Sequence, residues 1–120
     1  MIMSNNFFPL SSEELTNRIN KIPKIKLAIL PTALEYLPNI SKELGINLYI
    51  KRDDCTALAF GGNKTRHLEF IMAKVKKGDY DCVLTGAASQ SNWCRQTVAA
   101  ANKLSLETYL VLMHGVKGSK

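Results

Sequence analysis

Within Phe60-Gly61-Gly62-Asn63-Lys64-Thr65-Arg66-His67-Leu68-Glu69-Phe70, a lysine follows two glycines at the point where a helical pattern opens. The glycines strip side chains from a turn and let the backbone approach a flat ligand closely. Lys64 falls in the first helical turn, where N–H groups without an intrahelical partner favour an anionic neighbour. An amine held where its charge is discouraged loses a proton and attacks an aldehyde. That is the chemistry by which pyridoxal phosphate is held on a lysine. The same spacing also fits an ordinary turn followed by a solvated lysine.

A second constellation lies at Gln90-Ser91-Asn92, where a helix opens directly after a strand and a loop. A helix N-terminus binds an anion through its free N–H groups, and serine is also a good N-cap in its own right. One group of atoms can serve both ends. Asp53-Asp54 is a weaker candidate. Adjacent carboxylates in a strand point to opposite faces and rarely share one metal, so a bond to backbone or to an arginine is expected, and no metal site. Cys55, Cys82 and Cys94 are widely separated, with no C-x-x-C pair. They fit a reducing compartment rather than a disulfide framework or a zinc site. Cys94 is expected to be a buried structural thiol.

The elements that must position these groups follow from periodicity and punctuation. Ser11 and Glu14 have capping-box spacing, which predicts a helix to about Asn20, ended by the Pro23 region. Leu34, Leu37, Ile40 and Leu44 recur at near-helical intervals, with Pro38 in the first turn and Gly45 as the closing cap. Alternation from Asn47 to Arg52 predicts a strand. The helix opening near Lys64 carries Leu68, Ile71, Met72 and Val75 on one face and stops at Gly78. Cys82 to Thr85 reads as a short strand broken by Gly86, Ser91 to Leu104 as a helix, and Thr108 to Leu112 as a buried strand. Strand, helix and strand at this spacing form a βαβ unit with a parallel pair.

The chain has 120 residues, 46% of them hydrophobic and 22% charged, which suits one modest soluble core. The net charge of +6 is spread along the sequence. The densest run, Lys74-Val75-Lys76-Lys77, complements a helix dipole at its C-terminal turn. No nucleic-acid partner is expected. No apolar window reaches the length of a membrane span, and Met1 to Pro9 lacks the basic and apolar stretches of a leader. A cytoplasmic protein is expected. The sequence runs out directly after a strand, where a parallel sheet normally continues, and reads as an N-terminal piece of a longer enzyme.

Ile50-Lys51-Arg52-Asp53-Asp54, then Phe60 to Phe70, then Gln90-Ser91-Asn92 with Arg95-Gln96 resemble the aminocyclopropane-carboxylate deaminase and D-cysteine desulfhydrase family. The resemblance runs from about Pro31 to Met113, through three blocks in the family's order. It implies an α/β chain of tryptophan-synthase-β-like fold: a three-layer αβα arrangement on a parallel sheet, of which this is the N-terminal portion. Residues 1–65 would contribute to the large domain and 66–120 would open the small one.

The resemblance also implies the cofactor, pyridoxal 5'-phosphate, and the roles of particular residues. Lys64 matches the lysine that holds the cofactor and then shuttles a proton at the substrate's α-carbon. Asn92 matches the asparagine beside the pyridoxal 3-oxygen, and Asn63 orders the turn or touches the cofactor. His67 stands where the family often has a lysine near the phosphate. Ser91, flanked by Gln90 and Asn92, would receive the substrate carboxylate, and in cyclopropane-deaminating members this serine is also considered as a nucleophile. The family's phosphate-binding loop, its pyridine-nitrogen partner and its active-site tyrosine fall beyond residue 120.

The implied reaction is a lyase or deaminase step on a small amino acid, releasing ammonia and a 2-oxo acid, in a homodimer. A D-cysteine-like substrate, which also releases sulfide, is preferred over aminocyclopropane carboxylate. Trp93-Cys94 departs from the smaller or histidine-containing family pair, and Trp93 would narrow the substrate space if it faced the pocket. A non-catalytic binding module and a sulfhydrylase or ammonia-lyase of the same fold are the alternatives.

Overall fold

A computed structural model describes residues 10–114 of the chain. The expectations for the first nine residues and for 115–120 lie outside the described residues. Helix α1 spans Ser12–Asn20 and opens as its sequence predicts, with the Ser11 hydroxyl accepting the Glu14 N–H at 3.1 Å. The reciprocal half of the capping box is replaced by an ion pair one turn on, Arg18 to Glu14 at 2.8 Å.

The next segment departs from its periodicity. Leu34–Tyr36 is a strand, β1, and helix α2 spans only Pro38–Leu44, opened by Pro38 and closed by Gly45. β1 pairs antiparallel with β2, Tyr49–Lys51, and Tyr36 stands opposite Tyr49 with ring centroids 5.3 Å apart. Cross-strand aromatic pairing of this kind favours a hairpin. Proline at the first helical position fixes where the helix begins, which leaves Leu34 to the strand.

Helix α3 spans Lys64–Lys77, and Asp53–Thr56 form a short 3₁₀ turn ahead of it. Leu68 and Met72 of α3 are buried, whereas Ile71, assigned by its spacing to the same stripe, is exposed. Strand β3 runs over Cys82–Ala88 and pairs in parallel with β4, Glu107–Met113, from Cys82 opposite Glu107 to Ala88 opposite Met113. The expected break at Gly86 does not occur. A Cβ there would lie 2.7 Å from the Val111 carbonyl oxygen, so glycine lets β4 approach and the ladder continue.

Helix α4, Asn92–Asn102, is the crossover between the two parallel strands and lies against both. The core forms where α3 and α4 meet: Leu68, Met72 and Ala100 pack with Leu27 and Leu58, flanked by Val83 and Trp93. The opposite face of the β3–β4 pair is open, with Leu84 70% and Val111 59% exposed. The radius of gyration is 18.8 Å, against about 14 Å for a close-packed domain of this length. Much apolar surface is therefore left uncovered by the chain's own elements.

Candidate active site

The turn that carries Lys64 is built from unusual backbone. Ala57, Ala59, Phe60, Gly61 and Gly62 all have positive φ, from 46° at Ala59 to 133° at Gly62. Three of the five carry a side chain, and each such residue costs on the order of 1 kcal/mol, a kind of strain that clusters at functional sites. The two glycines are required by the chain itself. A Cβ on Gly61 would lie 1.8 Å from the Asp54 carbonyl oxygen, and one on Gly62 would lie 2.3 Å from the Gln96 amide nitrogen. At both positions the space a side chain would need is filled by protein.

Hydrogen bonds lock the turn. The Gly62 N–H reaches the Asp53 carbonyl at 2.8 Å and the Thr56 hydroxyl at 2.9 Å, and that hydroxyl donates to the Gly62 carbonyl at 2.9 Å. Lys64 follows as the first residue of α3, half-buried. Asn63 sits in the capping position but makes no capping bond through its side chain, which leaves its amide free for another partner. His67, one turn beyond Lys64, is exposed.

The second cluster opens α4. Ser91 is its N-cap, accepting the Cys94 N–H at 3.2 Å through Oγ. A serine hydroxyl that accepts one bond still has its proton to donate, so capping does not use up the group. Gln90, Ser91 and Asn92 line an open depression together with Ser89 and Arg95. Lys64, Asn63 and His67 do not line it. The two helix starts are nevertheless fastened together: the Thr65 hydroxyl donates to Gln96 Oε1 at 2.6 Å, and Arg95 reaches the Gly61 carbonyl at 3.5 Å while lying over the Phe60 ring.

Asp53 and Asp54 take the structural part expected of them, although in a 3₁₀ turn rather than a strand. Arg66 of α3 grips Asp53 with two bonds, 2.9 and 2.7 Å, and the guanidinium holds that carboxyl below its ordinary pKa. Arg52 pairs with Asp54 and Glu35 and lowers the Asp54 pKa in the same way. No cluster of three metal-ligating side chains occurs among the described residues. Trp93 turns to the core side, its indole N–H donating to Thr85 at 2.8 Å. As a core-side residue it says nothing about the substrate. Cys94 is buried, as expected.

Sequence reasoning missed the tie between Thr65 and Gln96 and the part played by Glu69. Glu69 is buried on α3 and accepts the N–H groups of Leu27 and Ala28 at 2.9 and 3.0 Å. Gln96 left one signal, four residues after Asn92 on the same helical face. Glu69 left none, since a carboxylate beside an apolar stripe reads as solvated.

A helix-opening lysine, a free asparagine amide and a capping serine with a proton to give suit a cofactor that offers an aldehyde and a polar ring. A parallel βαβ unit that supports them is the frame of an α/β enzyme. Residues 25–120 match the family described as pyridoxal-phosphate dependent enzyme, and the chain belongs to that family. It is 47% identical over 96 residues to the D-cysteine desulfhydrase of Salmonella paratyphi C (strain RKS4594) and 46% identical to that of Salmonella newport (strain SL254). Each match covers 80% of this chain and 29% of the relative, so the chain spans under a third of the relatives' length. A crystal structure described as an ACC deaminase homologue superposes with a TM-score of 0.78 at 43% identity, over 82% of this chain and 30% of that one.

Proposed function

We propose that this chain supplies the lysine-bearing part of a pyridoxal-phosphate dependent lyase acting on a small amino acid of the D-cysteine type. The observation that carries the reading is Lys64 at the start of α3, on a strained turn locked by hydrogen bonds and fastened to the start of α4. When bound, the cofactor supplies an aldehyde for an amine and a ring that draws electrons from the substrate. Lys64 Nζ holds the cofactor and afterwards takes the proton from the substrate's α-carbon. The Ser91 hydroxyl and the free N–H groups opening α4 hold the substrate carboxylate, flanked by Gln90. Asn92, Asn63 and His67 are the further side chains that would hold the cofactor. With one water consumed, the products are sulfide, ammonia and a 2-oxo acid.

D-Cysteine is preferred as the substrate because the relatives matched by sequence, at 46–47% identity, are D-cysteine desulfhydrases. Aminocyclopropane carboxylate is the second candidate, from the description of the superposed structure. Trp93 no longer bears on the choice. The separate sheets, β1–β2 and β3–β4, favour a division near residue 65 between two domains, although Leu27 and Leu58 share a core with Leu68, Met72 and Ala100 across it. The longer protein is read as a homodimer, and three free cysteines suit the cytoplasm. No helix among the described residues is long and apolar enough to cross a membrane.

The test is to add pyridoxal phosphate to the purified full-length protein and follow visible absorption, then fix the linkage with borohydride. Label on the Lys64 peptide, and its loss in Lys64→Ala, is the expected result. Label of the same yield in Lys64→Ala refutes the assignment.

A further inference from the structure

Gln96 is fully buried, yet its amide nitrogen has no hydrogen-bond partner. A buried amide left unpaired costs about 1–3 kcal/mol, and an apolar side chain of the same length would avoid that cost. Packing alone therefore does not account for a glutamine here. Its two terminal atoms meet the two residues that bracket Asn63-Lys64. Nε2 fills the place a side chain on Gly62 would occupy, and Oε1 accepts the Thr65 hydroxyl at 2.6 Å. Thr56, also fully buried, closes the third side through its two bonds to Gly62.

We propose that Gln96, through Thr65, is a positioning residue that fixes where Lys64 stands relative to Ser91 and Asn92. Gln96 lies four residues after Asn92 on one rigid helix, so the distance from the carboxylate-binding helix start to the grip on residues 62–65 is set by helix geometry. Without the grip, the amine and the substrate carboxylate drift independently on α3 and α4. The inference rests on the function proposed above and adds a residue that touches neither cofactor nor substrate.

The test compares Thr65→Val, which removes the hydroxyl and keeps the shape, Gln96→Met, which removes the amide and keeps the length, and Thr65→Ser, which restores the hydroxyl. The readouts, taken in the full-length protein, are the rate at which borohydride fixes pyridoxal phosphate on Lys64, read by peptide mass, and the separate values of kcat and KM. Thr65→Val and Gln96→Met should slow fixation and lower kcat by roughly ten- to a hundredfold, with KM little changed, as misplacement of a reacting group does. Thr65→Ser should recover most of the loss. Should Thr65→Val fail to fold, Gln96→Met decides alone. Wild-type rates in Gln96→Met, or a Thr65→Ser variant no better than Thr65→Val, overturn the proposal. A wild-type protein that carries no label on Lys64 overturns the proposed function instead, and this inference with it.

Discussion

Arg66 and Asp53 form a two-bond ion pair, at 2.7 and 2.9 Å, that joins the first turn of α3 to the 3₁₀ turn preceding the glycines. The same guanidinium reaches the Thr32 hydroxyl at 3.1 Å. Three segments distant in sequence are thereby pinned beside Lys64. Arg66 is 34% exposed, so solvent screens the pair, and Asp53→Asn should cost only about 1 kcal/mol in a urea titration.

The pair also sets a direction with pH. The folded pKa of Asp53 lies below its ordinary value of 3.8. Its contribution is therefore complete above that value and is lost as pH falls through the lowered folded pKa. Wild type and Asp53→Asn should differ in stability at neutral pH and converge as the solution is acidified below the ordinary carboxylate range. A gap that widens on acidification would contradict the ion pair.

Replacing the two glycines should separate their constraints. Gly61→Ala drives a Cβ against the Asp54 carbonyl, a backbone atom that cannot swing away, whereas Gly62→Ala meets the end of the Gln96 side chain. Denaturant midpoints should show about 3–4 kcal/mol lost for Gly61→Ala and about 1–3 for Gly62→Ala. Gly62→Ala should nevertheless impair Lys64 labelling, because it displaces the Gln96 amide.

Ser91 is expected to do two separable things. Ser91→Ala removes a cap worth about 1 kcal/mol and also the hydroxyl proton offered to a carboxylate. Ser91→Asp restores the cap and repels an anion. Stability should recover in Ser91→Asp while KM for the amino acid rises further, and a normal KM in that variant would exclude the carboxylate role.

The 120-residue chain by itself leaves Leu84, Tyr109, Val111 and Met113 between 55 and 70% exposed on β3 and β4. Surface of this kind drives association. Size-exclusion chromatography of the isolated chain should show oligomers or aggregates that shrink when Val111 and Met113 become serine. A compact monomer would argue against the open sheet.

By itself the sequence determined the local features: the helix opened by Lys64, the Ser11 and Ser91 caps, the Pro38 start of α2 and the parallel strand–helix–strand order. Each is dictated within a few residues, by caps, by proline or by hydrophobic period, and so can be read along the chain. The resemblance of the three ordered blocks also foreshadowed the family. Tertiary structure decided what depends on residues far apart. Leu34 belongs to a strand because Lys51 lies opposite it, and β3 runs through Gly86 because β4 approaches there. Trp93 faces the core because Thr85 accepts its N–H. Gly61 and Gly62 are glycines because Asp54 and Gln96 occupy the space a side chain would need. In each case the deciding atom comes from another segment, and only the fold brings it within contact distance.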